Sequence, residues 1–122
     1  MKRILLIEDN HFIRDNITEM LELVGYHITA ARDGEQGIEL AKSREHDIIL
    51  CDVMMPGATG HDVFNELKKE GILESIPFVF ISASVERKEV QAALDMGVTG
   101  YIRKPFEERD LLEVISRYTS GA

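Results

Sequence analysis

The chain has 122 residues, enough for one hydrophobic core, and 44% of them are hydrophobic, as in an ordinary soluble globular protein. Its 22 acidic residues outnumber its 14 basic ones, and the formal net charge of -8 argues against nucleic acid or an anionic membrane as a direct partner. A single cysteine excludes an internal disulfide, and no apolar run has the length of a signal peptide or a membrane span. We therefore expect a single cytoplasmic domain over residues 1–122.

Short apolar runs alternate along the chain with stretches of helical spacing. The run 4–7 predicts a strand, and the next stretch predicts a helix that Asn10 opens and Gly25 closes. The run 28–31 precedes a short helix after a turn at Asp33 and Gly34, and the run 48–51 precedes a helix around residues 63–67. The run 78–81 precedes a helix that Gly97 closes, and residues 101–102 precede a helix around residues 111–118.

These runs are continuous and rich in β-branched residues, which favours strands covered on both faces. Alternation of strand and helix favours βαβ units with right-handed crossovers. The sequence therefore predicts an α/β fold: a three-layer sandwich with a parallel five-stranded sheet between two layers of helices.

Polar side chains stand at the ends of these strands, where open parallel sheets bind their ligands. Glu8 and Asp9 follow the first strand, Asp52 ends the third, and Ser82 and Lys104 end the fourth and fifth. Three neighbouring carboxylates repel one another unless a cation lies among them, so we expect Mg²⁺ or Mn²⁺ at this edge. A carboxylate beside a metal, an ammonium and a hydroxyl is equipped to form an acyl phosphate.

Four segments in this order resemble the receiver domains of two-component response regulators, as in chemotaxis regulators. They read "IEDN" after the first strand, "CDVMMPGATG" around Asp52, "ISAS" at Ser82 and "GYIRKPF" near the end. The resemblance covers the chain from Lys2 to Tyr118. It implies a flavodoxin-like (βα)5 fold with strand order 2-1-3-4-5, an order that periodicity alone does not provide.

The resemblance implies that Asp52 is the phosphoacceptor. Glu8, Asp9, Asp52 and the backbone carbonyl of Met54 would bind Mg²⁺. Glu8 is longer than the aspartate often found at its position, so we expect it to reach the metal through water. Helix capping is the simpler interpretation of Asp9 and Asn10, and one residue could combine it with metal binding.

The resemblance also assigns the residues that would respond to phosphorylation. Lys104 would bind the phosphoryl group, and the Ser82 hydroxyl would move to meet it. Tyr101, a partly buried aromatic, would then swing inward behind Ser82. A cis peptide bond would join Lys104 to Pro105.

The implied function is a phosphorelay signal-transduction switch. The chain would not be an enzyme, because it would catalyse only its own phosphorylation and dephosphorylation. A sensor histidine kinase or phosphotransfer protein would donate the phosphoryl group, and a downstream effector or fused output domain would respond. The chain would act as a monomer or as a phosphorylation-dependent dimer, either as a stand-alone regulator or as part of a longer protein.

Three other functions fit the sequence less well. A receiver that only docks partners would be signalled by loss of Asp52, Lys104 or the acidic pair, and all are present. A phosphatase of the haloacid dehalogenase type needs a second aspartate two positions after its nucleophile, where Met54 stands. A flavodoxin-like cofactor binder would need a phosphate-cradling loop after the first strand, and "EDNHFIR" has no glycine and carries negative charge.

The four histidines lack the spacing of metal ligands. We expect all of them on the surface or in loops, with one near the site; they are His11, which is that one, His27, His46 and His61. Thr59 precedes Gly60 where the family often has an acidic residue, which we interpret as a loop variation.

The residues two positions beyond Asp52 and Ser82 are Met54 and Ser84, and we expect them to flank the phosphoryl group. We expect Met54 and Met55 to serve as packing residues. Because an apolar Met54 cannot orient an attacking water by hydrogen bonding, we predict a long-lived phosphoaspartate.

Overall fold

Five parallel strands form the central sheet in the order β2-β1-β3-β4-β5, as the resemblance implied. The computed structural model describes residues 2–83 and 86–119. The strands are β1 (Arg3–Ile7), β2 (His27–Ala31), β3 (Ile48–Asp52), β4 (Phe78–Ser82) and β5 (Gly100–Arg103). Each predicted strand is therefore confirmed, with an extension of one or two residues.

The five predicted helices are also confirmed: α1 (His11–Leu23), α2 (Gly34–Ala41), α3 (Gly60–Lys69), α4 (Arg87–Met96) and α5 (Glu108–Thr119). A short 3-10 helix, Ile72–Glu74, precedes β4. Asn10 caps α1 by accepting a hydrogen bond from the Ile13 N–H. Gly97 ends α4 at a φ of 107°, in the left-handed region that glycine adopts without steric cost.

The helices cover both faces of the sheet. Successive residues of a strand point to opposite faces, so each buried strand packs against both layers of helices. In β1, Leu5 and Ile7 belong to a buried cluster with residues of α2, α3 and α4. Ile4 and Leu6 belong to a second cluster with residues of α1 and α5. Full burial of each such side chain contributes about 1.5–3 kcal/mol, so the two clusters hold the three layers together.

Two elements are less covered than the sequence indicated. The edge strand β2 has only Ala31 buried, because β1 is its one neighbour in the sheet. In α4, Ala93 alone is buried, and the apolar Leu94 is 42% exposed. Few buried contacts therefore hold α4 against the sheet.

One histidine lies in a loop, as expected, but is buried there. His46, in the loop before β3, is only 8% exposed. Burial lowers the pKa of His46, so the imidazole is neutral at pH 7.

No helix in residues 2–83 and 86–119 is long and apolar enough to cross a membrane.

Candidate functional site at the carboxyl edge of the sheet

Three carboxylates meet where β1 and β3 end. Ile7 lies beside Cys51 in the sheet, so the residues that follow them, Glu8 and Asp52, leave adjacent strands together. One oxygen from each of Glu8, Asp9 and Asp52 lies within 4.8 Å of the other two. Glu8 and Asp52 are buried, at 1% and 6% exposure, whereas Asp9 is only partly buried. The sheet therefore brings together the acidic residues that the sequence placed at its edge.

The ammonium of Lys104 reaches two of these carboxylates. Its Nζ donates to an oxygen of Glu8 at 2.9 Å and to one of Asp52 at 3.4 Å. Burial alone would lower the pKa of Lys104, but the hydrogen bond to Glu8 and the charges of Asp52 and Glu8 outweigh it, so this pKa is raised. Lys104 is therefore a positive charge beside Asp52, and the peptide bond from Lys104 to Pro105 is cis, as expected.

Both oxygens of the Glu8 carboxylate already have hydrogen-bond donors. One accepts from Lys104, and the other accepts from the backbone N–H of Asn10 at 3.2 Å. A metal ion would compete with these donors for Glu8. Asp9 is less buried than Glu8, and no hydrogen bond to its carboxylate is seen within residues 2–83 and 86–119.

The donor set fits a magnesium ion. Mg²⁺ holds its oxygen ligands at about 2.1 Å, which places opposite ligands about 4.2 Å apart. The acidic oxygens, within 4.8 Å of one another, could surround one ion after a small adjustment. Three carboxylates near one ammonium also leave an excess of negative charge that a divalent cation would neutralise.

Ser82 ends β4, the strand between the one that ends at Asp52 and the one that leads to Lys104. Its strand lies between β3 and β5, and its carbonyl accepts a hydrogen bond from the Lys104 N–H at 2.7 Å. The residue is 1% exposed. Ser82 is therefore buried at the carboxyl edge of the sheet, beside the strand that ends at Asp52.

Met54 lies at the mouth of the site, with its N–H donating to an oxygen of Asp52 at 3.2 Å. Met54 is 73% exposed, so the expectation that it packs was wrong, because the loop after β3 turns it outward. Met55 is buried in the core, as expected. Ser84, the predicted second flanking residue, lies outside the described residues.

Tyr101 is partly buried, as predicted, and its ring lies edge-on to Phe80 with centroids 6.4 Å apart. On the same Phe80 ring, His61 makes a second edge contact at 5.1 Å. His61 and Tyr101 both line a cavity of about 240 Å³ near Met54 and Glu89. His61 therefore lies near this edge as well, which contradicts the expectation that only His11 would do so.

Gly60, which sequence reasoning did not assign to the site, lets α3 approach the strand that carries Asp52. A Cβ atom at Gly60 would lie 2.6 Å from the Asp52 carbonyl oxygen and 2.8 Å from the Val53 Cα. Thr59, the departure from the family pattern, forms a capping box with Asp62 and so begins α3. In the sequence, the one signal that Gly60 lies at the site was its closeness to Asp52.

Cys51 is a buried residue with no exposed surface, as the sequence indicated. Its thiol donates to the Asp52 carbonyl oxygen at 3.3 Å. Burial, followed by the charges of Asp52 and Glu8, raises the pKa of Cys51 well above its usual value. The thiol is therefore neutral and takes part in packing.

Residues 4–116 match the family model for the response regulator receiver domain. The response regulator SaeR of Staphylococcus aureus is 32% identical over 112 residues, which are 92% of this chain and 48% of that protein. The probable transcriptional regulator ycf29 of Pyropia yezoensis is 32% identical over 114 residues, which are 93% of this chain and 51% of that protein. The chain thus spans about half the length of these curated relatives.

Solved structures agree in fold. The chemotaxis protein CheY4 of Vibrio cholerae superposes with a TM-score of 0.90 and 26% identity, over 97% of this chain and 98% of that one. The receiver domain of the sensor histidine kinase PA1611 of Pseudomonas aeruginosa, solved with a magnesium ion coordinated in its active site cleft, gives a TM-score of 0.88 and 28% identity over 98% of both chains. With the whole sheet and both helical layers included in these matches, the chain belongs to the receiver domain family of response regulators.

Proposed function

We propose that this receiver domain is a phosphorelay switch that accepts a phosphoryl group on Asp52 with Mg²⁺ bound. A sensor histidine kinase or phosphotransfer protein would be the donor. The observation that carries the proposal is the placement of Asp52, which is buried, 3.4 Å from the Lys104 ammonium and within 4.8 Å of two further carboxylates.

The transfer needs an ionised carboxylate, neutralisation of charge and accurate positioning. An Asp52 oxygen would form a bond to phosphorus while the P–N bond of a donor phosphohistidine breaks, and the departing imidazole nitrogen would take a proton from solvent. Lys104 would neutralise the incoming oxygens, and the Ser82 hydroxyl would donate a hydrogen bond to one of them.

Glu8, Asp9, Asp52 and the backbone carbonyl of Met54 would hold Mg²⁺, whose charge would offset that of the phosphoryl oxygens. The acidic cluster and the magnesium ion in the Pseudomonas aeruginosa receiver domain support this assignment. Since Asp52 would be both ligand and acceptor, metal binding and phosphorylation would depend on the same carboxylate.

The shape change would begin at Ser82 and Tyr101. A phosphoryl group on Asp52 would draw the Ser82 hydroxyl toward it, and the Tyr101 ring would move into the cavity that it lines. The weak packing of α4, with Ala93 as its one buried residue, supports a shift of this helix at modest cost in free energy. A downstream effector or fused output domain would respond to the new surface of α4, β5 and α5.

We also propose that the chain has no substrate other than its own Asp52, so it is a switch and not an enzyme. Lys104→Ala would separate the two parts of the function, because phosphorylation of Asp52 would continue at a lower rate while the contact that reports the phosphoryl group is lost.

The test is intact mass after incubation with acetyl phosphate, with and without Mg²⁺. Wild type should gain one phosphoryl group only with Mg²⁺, and Asp52→Asn should gain none. Asp95→Asn is the matched control, since it removes an exposed carboxylate of α4. Absence of a gain in wild type under every condition would contradict the proposal and favour a receiver that only docks partners.

A further inference from the structure

Arg14, in the second turn of α1, reaches back to the loop that carries the acidic pair. Its Nη1 donates to the carbonyl oxygen of Glu8 at 2.9 Å and lies 3.4 Å from that of Asp9. Both acceptors are backbone atoms, so Arg14 contacts the chain that carries the two carboxylates and leaves their side chains open to other partners.

The loop between β1 and α1 has few other supports. The Glu8 N–H continues the sheet by donating to the Ala31 carbonyl at 3.1 Å, and the Asn10 side chain caps the helix. Within residues 2–83 and 86–119, no backbone N–H donates to the carbonyls of Glu8 and Asp9. A partly buried carbonyl without a donor destabilises the conformation that leaves it unpaired. Arg14 supplies that donor.

Arg14 can transmit rigidity because its helix is firmly packed. Ile17 and Leu21, one and two turns further along α1, are buried in the cluster beneath the helix. The guanidinium therefore ties the acidic loop to an element whose position is set by the core. Removing it would leave Asp9, the less buried member of the acidic pair, free to turn away from Asp52.

We propose that Arg14 is a positioning residue for Mg²⁺, which holds the backbone of Glu8 and Asp9 so that their carboxylates face Asp52. This inference rests on the proposed function, since it concerns the same metal site. Removal of a group that orients metal ligands without touching the metal commonly weakens the affinity for the metal by about 10–100-fold.

The charge of Arg14 has the opposite effect, because a guanidinium near the site repels a divalent cation. Loss of positioning predicts weaker Mg²⁺ binding in a neutral variant, whereas loss of repulsion predicts tighter binding. The sign of the change in dissociation constant therefore separates the two effects.

The experiment is a Mg²⁺ titration followed by the amide NMR shifts of residues 8, 9 and 52, on four forms of the chain. Arg14→Met retains the apolar stem and loses both charge and donor, whereas Arg14→Lys retains the charge and a donor. Arg117→Met, which removes an exposed arginine from the far end of α5, is the matched control. We expect the dissociation constant to rise about tenfold in Arg14→Met, less in Arg14→Lys, and not in Arg117→Met.

A second readout separates positioning from a general loss of structure. At saturating Mg²⁺, phosphorylation of Arg14→Met by acetyl phosphate should return close to the wild-type rate, because the binding step alone is impaired. Urea unfolding shows whether Arg14→Met is folded. If it is not, Arg14→Gln, whose shorter side chain does not reach the two carbonyls, takes its place with the same expectation.

If wild type binds Mg²⁺ and the dissociation constant of Arg14→Met is unchanged or lower, the inference is overturned. Failure of wild type itself to respond to Mg²⁺ would contradict the proposed function, and this inference with it. The two failures are therefore distinguishable in one titration.

Discussion

The ammonium of Lys104 lies 2.9 Å from a carboxylate oxygen of Glu8, although 96 residues separate them in sequence. The same ammonium lies 3.4 Å from Asp52. One cation thus links the ends of β1, β3 and β5 and offsets part of the repulsion between two buried carboxylates. Two ion pairs of one lysine therefore join the ends of three strands at this site.

Replacing Lys104 with methionine should make the fold depend on Mg²⁺. Glu8 and Asp52 would remain as carboxylates without a cation, at a cost of about 1–3 kcal/mol in the free energy of unfolding. This is less than for a fully buried pair, because Lys104 is 18% exposed and water reaches it. Mg²⁺ should then stabilise Lys104→Met more than it stabilises wild type.

Urea unfolding in EDTA and in Mg²⁺ measures this effect. Lys88→Met, which removes an exposed lysine of α4, is the matched control and should behave as wild type. Equal stabilisation of all three proteins by Mg²⁺ would show that Lys104 does not occupy the electrostatic role proposed for it.

Replacing Gly60 with alanine should lower the free energy of unfolding by about 1–3 kcal/mol, as overpacking does. The new methyl group would lie 2.6 Å from the Asp52 carbonyl oxygen, and backbone atoms there cannot move aside without displacing β3. Gly57→Ala is a useful comparison: Gly57 has a φ of 75°, and no atom lies within 4 Å of the position that its Cβ would take, so only backbone strain acts. Thermal unfolding of both variants measures the difference. If Gly60→Ala loses no more stability than Gly57→Ala, α3 moves away from β3 at little cost in free energy.

His46 should make the fold less stable in weak acid. Its pKa is lowered by burial, in a setting where Glu45 and Asp47 favour the charged form and Arg3 and His27 oppose it. The unfolded chain therefore binds a proton near the ordinary histidine pKa of about 6.5 while the folded chain does not. The stability contributed by neutral His46 is complete above that pH and is lost as the pH falls below it.

Urea unfolding at pH 7.5 and 5.5, compared between wild type and His46→Gln, tests this linkage. The variant should lose less stability over this interval than wild type, and His11→Gln, at an exposed histidine, should match wild type. The same loss in His46→Gln as in wild type would assign the pH dependence to other groups.

A polar residue at Met54 should shorten the life of the phosphoaspartate. Because Met54 is 73% exposed, Met54→Asn should hardly disturb the core, and its amide could orient a water toward the phosphoryl group. We expect hydrolysis to be several-fold faster in Met54→Asn than in Met54→Leu, whose side chain also lacks a hydrogen-bonding group. Decay of the phosphorylated mass with time measures the rates, and equal rates would contradict the prediction.

Much of the fold and the site could be predicted from the sequence. Continuous apolar runs and helical spacing predicted all five strands and all five helices, because buried strands and amphipathic helices impose these periods directly. The residues at the strand ends could also be predicted to meet, since the carboxyl ends of parallel strands share one edge. Glu8, Asp52 and Lys104 are therefore neighbours for a reason visible in the sequence.

The remaining features depended on contacts that have no local signal. Periodicity does not determine strand order, because each crossover can place the next strand on either side of the sheet, and the family resemblance supplied that order. Exposure of Met54 and burial of His46 follow from how loops fold over the two ends of the sheet. Neither is encoded in the spacing of apolar residues.

The sequence by itself determined which chemical groups reach the acidic edge, because strand ends and helix starts are local properties of the chain. Tertiary structure alone decided how those groups are held. Lys104 engages Glu8 through the packing of β5 and β1 into one sheet, and Arg14 engages the Glu8 carbonyl because the core fixes the position of α1. Such contacts join groups whose distance is set by the whole packed domain, and no short stretch of sequence contains that information.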